Sequence, residues 1–180
     1  MTYTLEQGFG VKIVVPGAGF LLNNEMGDFN AGPDLTNDSG LIGTTPNLAA
    51  PAKRMLSSMS PTILAKSGKL FMVTGSPGGR TIINTVLETI VDVIDFGMNA
   101  QEAVDAPKFH HQWLPDRITF EKFGFSPDTI AALERRGHKL QAGDSQGVAQ
   151  IIVVNDKEGL LEGGTDRRAP DGGAVGARRH

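Results

Sequence analysis

Cysteine is absent from the 180-residue sequence, which excludes disulfide bonds and thiolate metal sites. No apolar run approaches the length that spans a bilayer, and residues 1–4 do not resemble a signal peptide. The 17 basic and 20 acidic residues are interspersed and give a net charge of −3, so no basic face favours nucleic acid. These absences argue against a membrane span, a nucleic-acid partner and a cysteine-based metal centre.

Two common functional motifs are also missing. No glycine-rich turn is followed by the Lys and Ser or Thr of a phosphate loop, and no Ser or Thr lies in a Gly-x-Ser-x-Gly elbow. His110 and His111 are adjacent, and neighbouring residues of an extended segment point to opposite faces, which favours a structural role over a metal site. Trp113 is most simply a packing residue. We therefore expect no bound metal and no hydrolase of the serine-elbow class.

Turn-forming residues are abundant, since the chain contains 23 glycines and 10 prolines. Strands are predicted at residues 2–5, 11–15, 19–22, 62–66, 69–74, 139–142, 148–154 and 160–162. Residues 30–53 predict a long surface loop, and residues 169–180 predict a frayed tail. Because helical patterns lie between the groups of strands, we predict a single α+β domain that spans residues 1–180.

Three helices are predicted, a long one after Thr81 and two shorter ones. Asn99 and Glu102 have the spacing of a capping box, and Ser126 before Pro127 is a typical helix start. The long helix is predicted to bury a wide apolar face formed by Ile83, Val86, Leu87, Ile90, Val91 and Ile94. Its predicted polar stripe consists of Thr85, Glu88, Asp92 and Asp95. Both strands of the hairpin before this helix are predicted to be central strands.

The turn at residues 73–80 joins an apolar strand to the long helix. The first N–H groups of a helix have no intrahelical partner, and the helix dipole adds positive potential there. Gly78 and Gly79 have no side chains to block a substrate oxygen, so their N–H groups are candidate donors of an oxyanion hole. A turn that serves only packing is the alternative interpretation.

Two further pairs of residues are candidates for substrate binding. Glu25 and Asp28 follow an apolar strand at a spacing of three, where their carboxylates can bind a substrate ammonium, act as acid and base or hold a cation. Ser57 and Ser58 can donate hydroxyl hydrogens to a carboxylate. Taken alone, solvated acids and an ordinary serine-rich turn are the simpler interpretations.

Four segments together resemble the small subunit of gamma-glutamyltranspeptidase, an N-terminal-nucleophile hydrolase. They are residues 21–29, 56–62, 73–79 and 107–115, in the family's order, and the similarity extends from residue 1 to about residue 176. The resemblance implies a four-layer αββα sandwich, incomplete here because the first strand is missing. It also implies no cofactor, a large subunit of the same precursor as partner, and a periplasmic or extracellular location.

The resemblance assigns a role to each substrate-binding candidate. Glu25 and Asp28 would hold the α-amino group of a gamma-glutamyl donor such as glutathione. Ser57 and Ser58 would bind its α-carboxylate together with an arginine of the large subunit. These roles agree with the chemistry of the residues, because carboxylates attract an ammonium and hydroxyls donate to a carboxylate.

The resemblance also covers the catalytic steps. Gly78 and Gly79 would supply the oxyanion-hole N–H groups, and Thr4 matches a threonine that supports the nucleophile by hydrogen bonding. The family's nucleophile, a threonine whose own α-amine is its base, lies before the start of this chain. Glu6 stands where many members carry an asparagine, which leaves donor choice and the balance between hydrolysis and transfer open.

The implied activity is cleavage of gamma-glutamyl amides through a glutamyl-threonine ester, followed by transfer to an amine or to water. We expect the isolated chain to be inactive, because it lacks both the nucleophile threonine and the large subunit. Thr2, which loss of Met1 would expose, aligns with the second strand and does not replace the nucleophile. Two alternatives stay open. The chain is a non-catalytic binding or assembly module that has lost its nucleophile, or it belongs to a related acylase of non-glutamyl amides, an alternative that Glu6 supports.

Overall fold

The computed structural model describes residues 3–176, which fall into two compact units. One unit comprises Met1–Met59 and Gln112–Asp116, and the other comprises Ser60–His111 and Arg117–His180. Thr2 and the last four residues of the predicted frayed tail lie outside the described residues. The single domain spanning residues 1–180 stays a prediction.

The second unit holds the regular secondary structure of the described chain. Its elements are β1 (Thr62–Lys66), β2 (Lys69–Gly75), α1 (Ile82–Ile94), α2 (Ala100–Asp105), β3 (Phe109–His110), β4 (Ile118–Glu121), α3 (Pro127–Arg135), β5 (Leu140–Gly143), β6 (Gln150–Asn155) and β7 (Leu160–Thr165). None of the helices described between residues 3 and 176 is long and apolar enough to cross a bilayer.

The larger sheet is antiparallel with the strand order β1-β2-β6-β7. Ser67 and Gly68 turn the predicted hairpin between β1 and β2 with φ angles of 52° and 77°, as a two-residue hairpin loop requires. The prediction that both hairpin strands are central is wrong for β1, which lies at the sheet edge, where Ile63 is 74% exposed. The apolar composition of β1 therefore does not indicate a central position.

The core of the second unit lies between the larger sheet and α2. It is formed by Met72, Ala100, Val104, Ala149, Ile151 and Val153. The cap of α2 agrees with the prediction. The Asn99 side chain accepts a hydrogen bond from the Glu102 N–H, and the Glu102 carboxylate accepts one from the Asn99 N–H. Local capping chemistry thus places the start of α2 over the sheet.

The predicted burial of α1 is partly wrong. Ile83 and Leu87 are 60% and 55% exposed, whereas Thr85 and Thr89 are buried with Ile82 and Val86. Thr89 fits because its hydroxyl donates to the carbonyl of Thr85 at 2.7 Å, whereas the buried Thr85 hydroxyl has no hydrogen-bond partner among the described residues. Apolar spacing alone predicted the buried side of α1 only in part, since Val86 is buried and Ile90 packs against the core.

The smaller sheet has the order β3-β4-β5, with β3 antiparallel and β5 parallel to β4. The parallel pair is joined through α3, whose predicted start is confirmed: the Ser126 hydroxyl accepts from the Thr129 N–H, and Pro127 occupies the first turn. The strand β4 was not predicted. Its short Ile-Thr-Phe-Glu sequence gave too little pattern to separate it from a loop.

A polar row of α1 formed by Asn84, Glu88 and Asp92 faces β3 and the residue before it. The other two residues of the predicted polar stripe do not belong to this row, since Thr85 is buried and Asp95 is exposed. Asn84 Oδ1 hydrogen-bonds with His110 Nδ1 at 2.8 Å, and the Glu88 carboxylate accepts from the Phe109 N–H at 3.3 Å. Asp92 Oδ2 accepts from Lys108 Nζ at 3.0 Å. Residues four positions apart on α1 therefore contact three consecutive residues, 110, 109 and 108, of β3 and the position before it. Burial raises the pKa of Glu88 to about 7.

We predict that Glu88→Gln removes a pH dependence of stability. With a folded pKa of about 7 against a reference value of 4.5, the carboxyl stabilises the folded state below pH 4.5, and this contribution is lost as the pH rises to about 7. After allowance for solvent screening, the wild-type free energy of unfolding should fall by on the order of 1 kcal/mol across this window relative to Glu88→Gln. Urea denaturation at a series of pH values measures it. The exposed Glu158→Gln is the control, and parallel pH profiles for wild type and Glu88→Gln would contradict the prediction.

The first unit has little regular structure within the described residues. It contains 3-10 helices at Glu25–Asp28 and Thr45–Asn47, and isolated bridges pair Val14 with Leu21 and Asn30 with Leu48. Residues 3–5 are not a strand, and residues 19–22 are mostly exposed instead of forming the predicted buried strand. Within residues 11–22 the Val11 N–H donates to the carbonyl of Leu22 and the Val15 N–H donates to the carbonyl of Phe20, so this segment folds back on itself as a short, irregular ribbon.

Candidate active site

The acid pair is presented by the 3-10 helix Glu25–Asp28. Asn23 Oδ1 accepts from the Glu25 N–H at 3.2 Å at the start of this turn. At its end, the Asn47 side chain donates to the carbonyl of Asp28 at 2.6 Å, which ties the turn to the segment 30–53. Glu25 is buried and Asp28 is half-buried. The two carboxylates therefore come from one short, braced turn.

Thr4 and Glu6 lie against this turn. The Thr4 hydroxyl donates to Glu25 Oε1 at 2.9 Å and accepts from the Glu6 N–H at 3.2 Å. The Glu6 side chain lies over Gly27, where an added Cβ would stand 2.7 Å from Glu6 Oε1. The structure thus brings together four predicted site residues, which form the acid cluster: Thr4, Glu6, Glu25 and Asp28.

In the acid cluster, Asp28 experiences repulsion from neighbouring carboxylates, and one of its oxygens has no hydrogen-bond donor among the described residues. Burial, the hydrogen bond and charge of Glu25, and the charge of Glu6 all raise the pKa of Asp28. Asp28 Oδ2 is buried and accepts no hydrogen bond within the part of the chain that the structure describes. A buried carboxylate oxygen without a donor is costly. An ammonium group placed here would supply both the missing hydrogen bonds and the opposite charge.

The two serines lie in the same unit as the acid cluster. Ser57 is exposed, and its hydroxyl accepts from the Met59 N–H at 3.3 Å, which is a local turn contact. Ser58 is half-buried. One lone pair of the Ser57 oxygen is thus used inside the segment, and the rotatable hydroxyl retains a hydrogen that it can donate to a ligand.

The glycine turn belongs to the second unit. After β2 ends at Gly75, the chain passes through Gly78 with φ +142° and Gly79 with φ +54°, conformations that favour glycine. The N–H and the hydroxyl of Thr81 both donate to the carbonyl of Gly78 at 3.0 Å. This bonding directs the Gly78 carbonyl into the helix start and leaves the exposed N–H groups of Gly78 and Gly79 at its open end. The role of these N–H groups as oxyanion donors stays a prediction.

Two contacts of the glycine turn were missed from the sequence. The Ser76 hydroxyl accepts from the Val148 N–H at 2.9 Å, and Gly147 lies directly against Gly78. They join residues about 70 positions apart, and no local pattern predicts such pairs.

His110 agrees with its predicted structural role, since it is buried on β3 beside Asn84. Across residues 3–176, no group of three or more His, Cys, Asp or Glu is arranged to hold a metal ion.

The motifs and their geometry have a counterpart in a known family. The gamma-glutamyltranspeptidase family matches this chain over residues 1–176. The chain belongs to that family. A glutathione hydrolase proenzyme from Escherichia coli (strain K12) is 52% identical over 171 residues, which cover 95% of this chain and 29% of the proenzyme. The chain therefore spans less than a third of the length of that relative.

Solved structures show the same relationship in three dimensions. The T380A mutant of Helicobacter pylori gamma-glutamyltranspeptidase matches with a TM-score of 0.84 and 46% identity, over 94% of this chain and 92% of that chain. A cephalosporin acylase from Bacillus halodurans matches with a TM-score of 0.79 and 30% identity, over 98% of this chain and 31% of that chain. The predicted α+β fold, a partial sandwich of the N-terminal-nucleophile hydrolases, is confirmed for this chain.

Proposed function

We propose that this chain is part of a gamma-glutamyl hydrolase and transferase that acts on gamma-glutamyl amides such as glutathione. The observation that carries the proposal is the buried oxygen of Asp28 in the acid cluster, which accepts no hydrogen bond from any residue between 3 and 176. The α-ammonium of a glutamyl donor supplies the cation that this oxygen lacks. Glu25, held by the hydroxyl of Thr4, is the second carboxylate of the same subsite.

The rest of the donor is recognised by the other candidate residues. Ser57 and Ser58 donate to its α-carboxylate, and the N–H groups of Gly78 and Gly79 receive the oxygen of the amide carbonyl as it becomes negative. A threonine from outside this chain attacks that carbonyl. The amide C–N bond breaks, the leaving amine takes a proton, and a glutamyl-threonine ester forms. Water or an acceptor amine then attacks the ester and restores the threonine.

The proposal includes a large subunit from the same precursor as partner. The chain covers 29% of the E. coli relative, so most of such a precursor lies outside it. The outer face of the larger sheet supports a partner: Ile63, Val73 and Ile152 form one row across three strands, on the side opposite the buried Met72. Ile63, Ile152 and the nearby Leu161 are exposed apolar residues. Such a face is typical of a sheet that packs on another layer.

A second candidate is an acylase of non-glutamyl amides, whose acyl group carries no α-ammonium. The cephalosporin acylase from Bacillus halodurans supports it by its similarity over 98% of this chain. Glu6 also supports it. At this position many members of the family carry an asparagine, and the Glu6 carboxylate lies beside Gly27. The two candidates differ in one property, the need for a positive charge on the donor.

We predict that Asp28→Asn selectively weakens glutamyl donors. The assembled enzyme, meaning this chain with the nucleophile segment and large subunit, is assayed with a gamma-glutamyl anilide and with a glutaryl anilide, which lacks the α-amine. Loss of a charge-assisted hydrogen bond should lower kcat/KM for the glutamyl anilide by about 10- to 100-fold. The glutaryl anilide should change by less than about twofold, because it offers no ammonium to Asp28.

Asp38→Asn, an exposed change in the segment 30–53, is the matched control and should leave both substrates unaffected. The isolated chain should show no turnover, because it lacks the nucleophile threonine. Equal losses for both anilides in Asp28→Asn would contradict an ammonium site. A wild-type preference for the glutaryl anilide would instead favour the acylase.

A further inference from the structure

The Ser76 side chain attaches the glycine turn to the segment before β6, just beyond the last pair of the β2–β6 ladder. The last pair of the β2–β6 ladder is Gly75 with Gln150. Beyond it the Ser76 hydroxyl accepts from the Val148 N–H at 2.9 Å and donates to the carbonyl of Pro77 at 2.6 Å. The Ser76 side chain thus extends the attachment of the turn toward the segment before β6.

Gly147 contacts the same turn from the side. A Cβ added to Gly78 would lie 3.1 Å from the Gly147 Cα, so the two backbones are in close contact. A Cβ added to Gly147, whose φ is +68°, would lie 2.7 Å from the hydroxyl oxygens of both Ser76 and Thr85. The backbone of Gly147 therefore occupies a narrow space between the glycine turn and α1.

The segment that carries Gly147 is itself anchored in the smaller sheet. The Gln146 N–H donates to Glu121 Oε1 at 2.7 Å, and its side-chain amide donates to the carbonyl of Thr119 at 3.1 Å. Glu121 is buried and pairs with Arg168, which also pairs with the buried Asp166. The segment 146–148 thus connects a fixed ion pair on β4 to the glycine turn.

We propose that Ser76 and Gly147 are positioning residues that fix the N–H groups of Gly78 and Gly79 in the geometry needed for the oxyanion. This inference rests on the proposed function, in which those N–H groups stabilise the charge that develops on the amide oxygen. Donors stabilise a transition state only when they are aimed before the reaction, so a displaced turn lowers the rate of the chemical step. Neither Ser76 nor Gly147 needs to touch the substrate for this effect.

The test compares Ser76→Ala, Ser76→Thr and Gly147→Ala in the assembled enzyme, with the exposed Ser145→Ala as the matched control. Ser76→Ala and Gly147→Ala should lower kcat for a gamma-glutamyl anilide by about tenfold and change KM by less than about twofold. The fraction of active enzyme, counted by titration with a covalent inhibitor, should stay constant. Ser76→Thr, which keeps the hydroxyl, should restore kcat, and Ser145→Ala should match wild type.

Amide hydrogen exchange of the segment 146–149, measured by mass spectrometry, gives a readout that does not depend on activity. It should accelerate about tenfold in Ser76→Ala and return to the wild-type rate in Ser76→Thr. Unchanged exchange, or faster exchange with unchanged kcat, would overturn the positioning role. A wild-type enzyme that turns over no glutamyl donor would refute the proposed function, and the exchange rates would then decide the Ser76 contact on their own.

Discussion

Gly78→Ala should lower the turnover of gamma-glutamyl amides by the assembled enzyme at least about a hundredfold. With φ +142° and ψ 12°, this residue has a conformation that L side chains rarely adopt. A Cβ would lie 2.6 Å from the Thr81 hydroxyl and 3.1 Å from the Gly147 backbone, so the peptide must rotate. Loss of one oxyanion donor costs about 10²- to 10³-fold in kcat in other hydrolases.

Gly97→Ala is the matched control for this change. Gly97 also has a positive φ, +68°, but a Cβ there meets no atom within 4 Å. It should cost about 1 kcal/mol of stability and leave kcat unchanged. Steady-state kinetics with a gamma-glutamyl anilide, corrected for the active fraction, measures both variants. A Gly78→Ala enzyme with the wild-type kcat would refute the oxyanion role of the turn.

Lys108→Met should destabilise the second unit by about 3–5 kcal/mol. Lys108 is 1% exposed, and its Nζ donates to Asp92 at 3.0 Å and to the carbonyl of Ala103 at 2.8 Å. Methionine keeps most of the volume but leaves the Asp92 carboxylate without its cation and the carbonyl without its donor. That loss is a large part of the stability of a typical domain.

Native-state hydrogen exchange of the α1 and α2 amides measures this effect. Adding Asp92→Asn to Lys108→Met should recover at least about 1 kcal/mol, because the uncompensated charge is then removed. Lys122→Met, which breaks an exposed 3.8 Å pair with Asp144, should cost less than about 1 kcal/mol. Equal effects of Lys108→Met and Lys122→Met would show that the buried pair does not hold α1 to β3.

Short-range chemistry was predicted well. The caps of α2 and α3 and the β1–β2 hairpin depend on residues two to four positions apart, and the structure agrees with each of them. The segment 19–22 was predicted incorrectly and the buried side of α1 only in part, because apolar composition shows that a face can be buried but not which neighbour covers it. The acid pair was found from its spacing, while its contact with Thr4 spans 21 positions and required the fold.

By itself, the amino-acid sequence determined the family, the order of the motifs and the residue types that can meet an ammonium, a carboxylate and an oxyanion. Only the tertiary structure decided that Thr4 bonds to Glu25, that Asp28 keeps a buried oxygen with no donor in the described part of the chain, and that Gly147 lies against Gly78. The reason is physical. Side-chain chemistry and turn preferences are properties of neighbouring residues, whereas burial and donor shortage arise only when distant segments exclude water from one another.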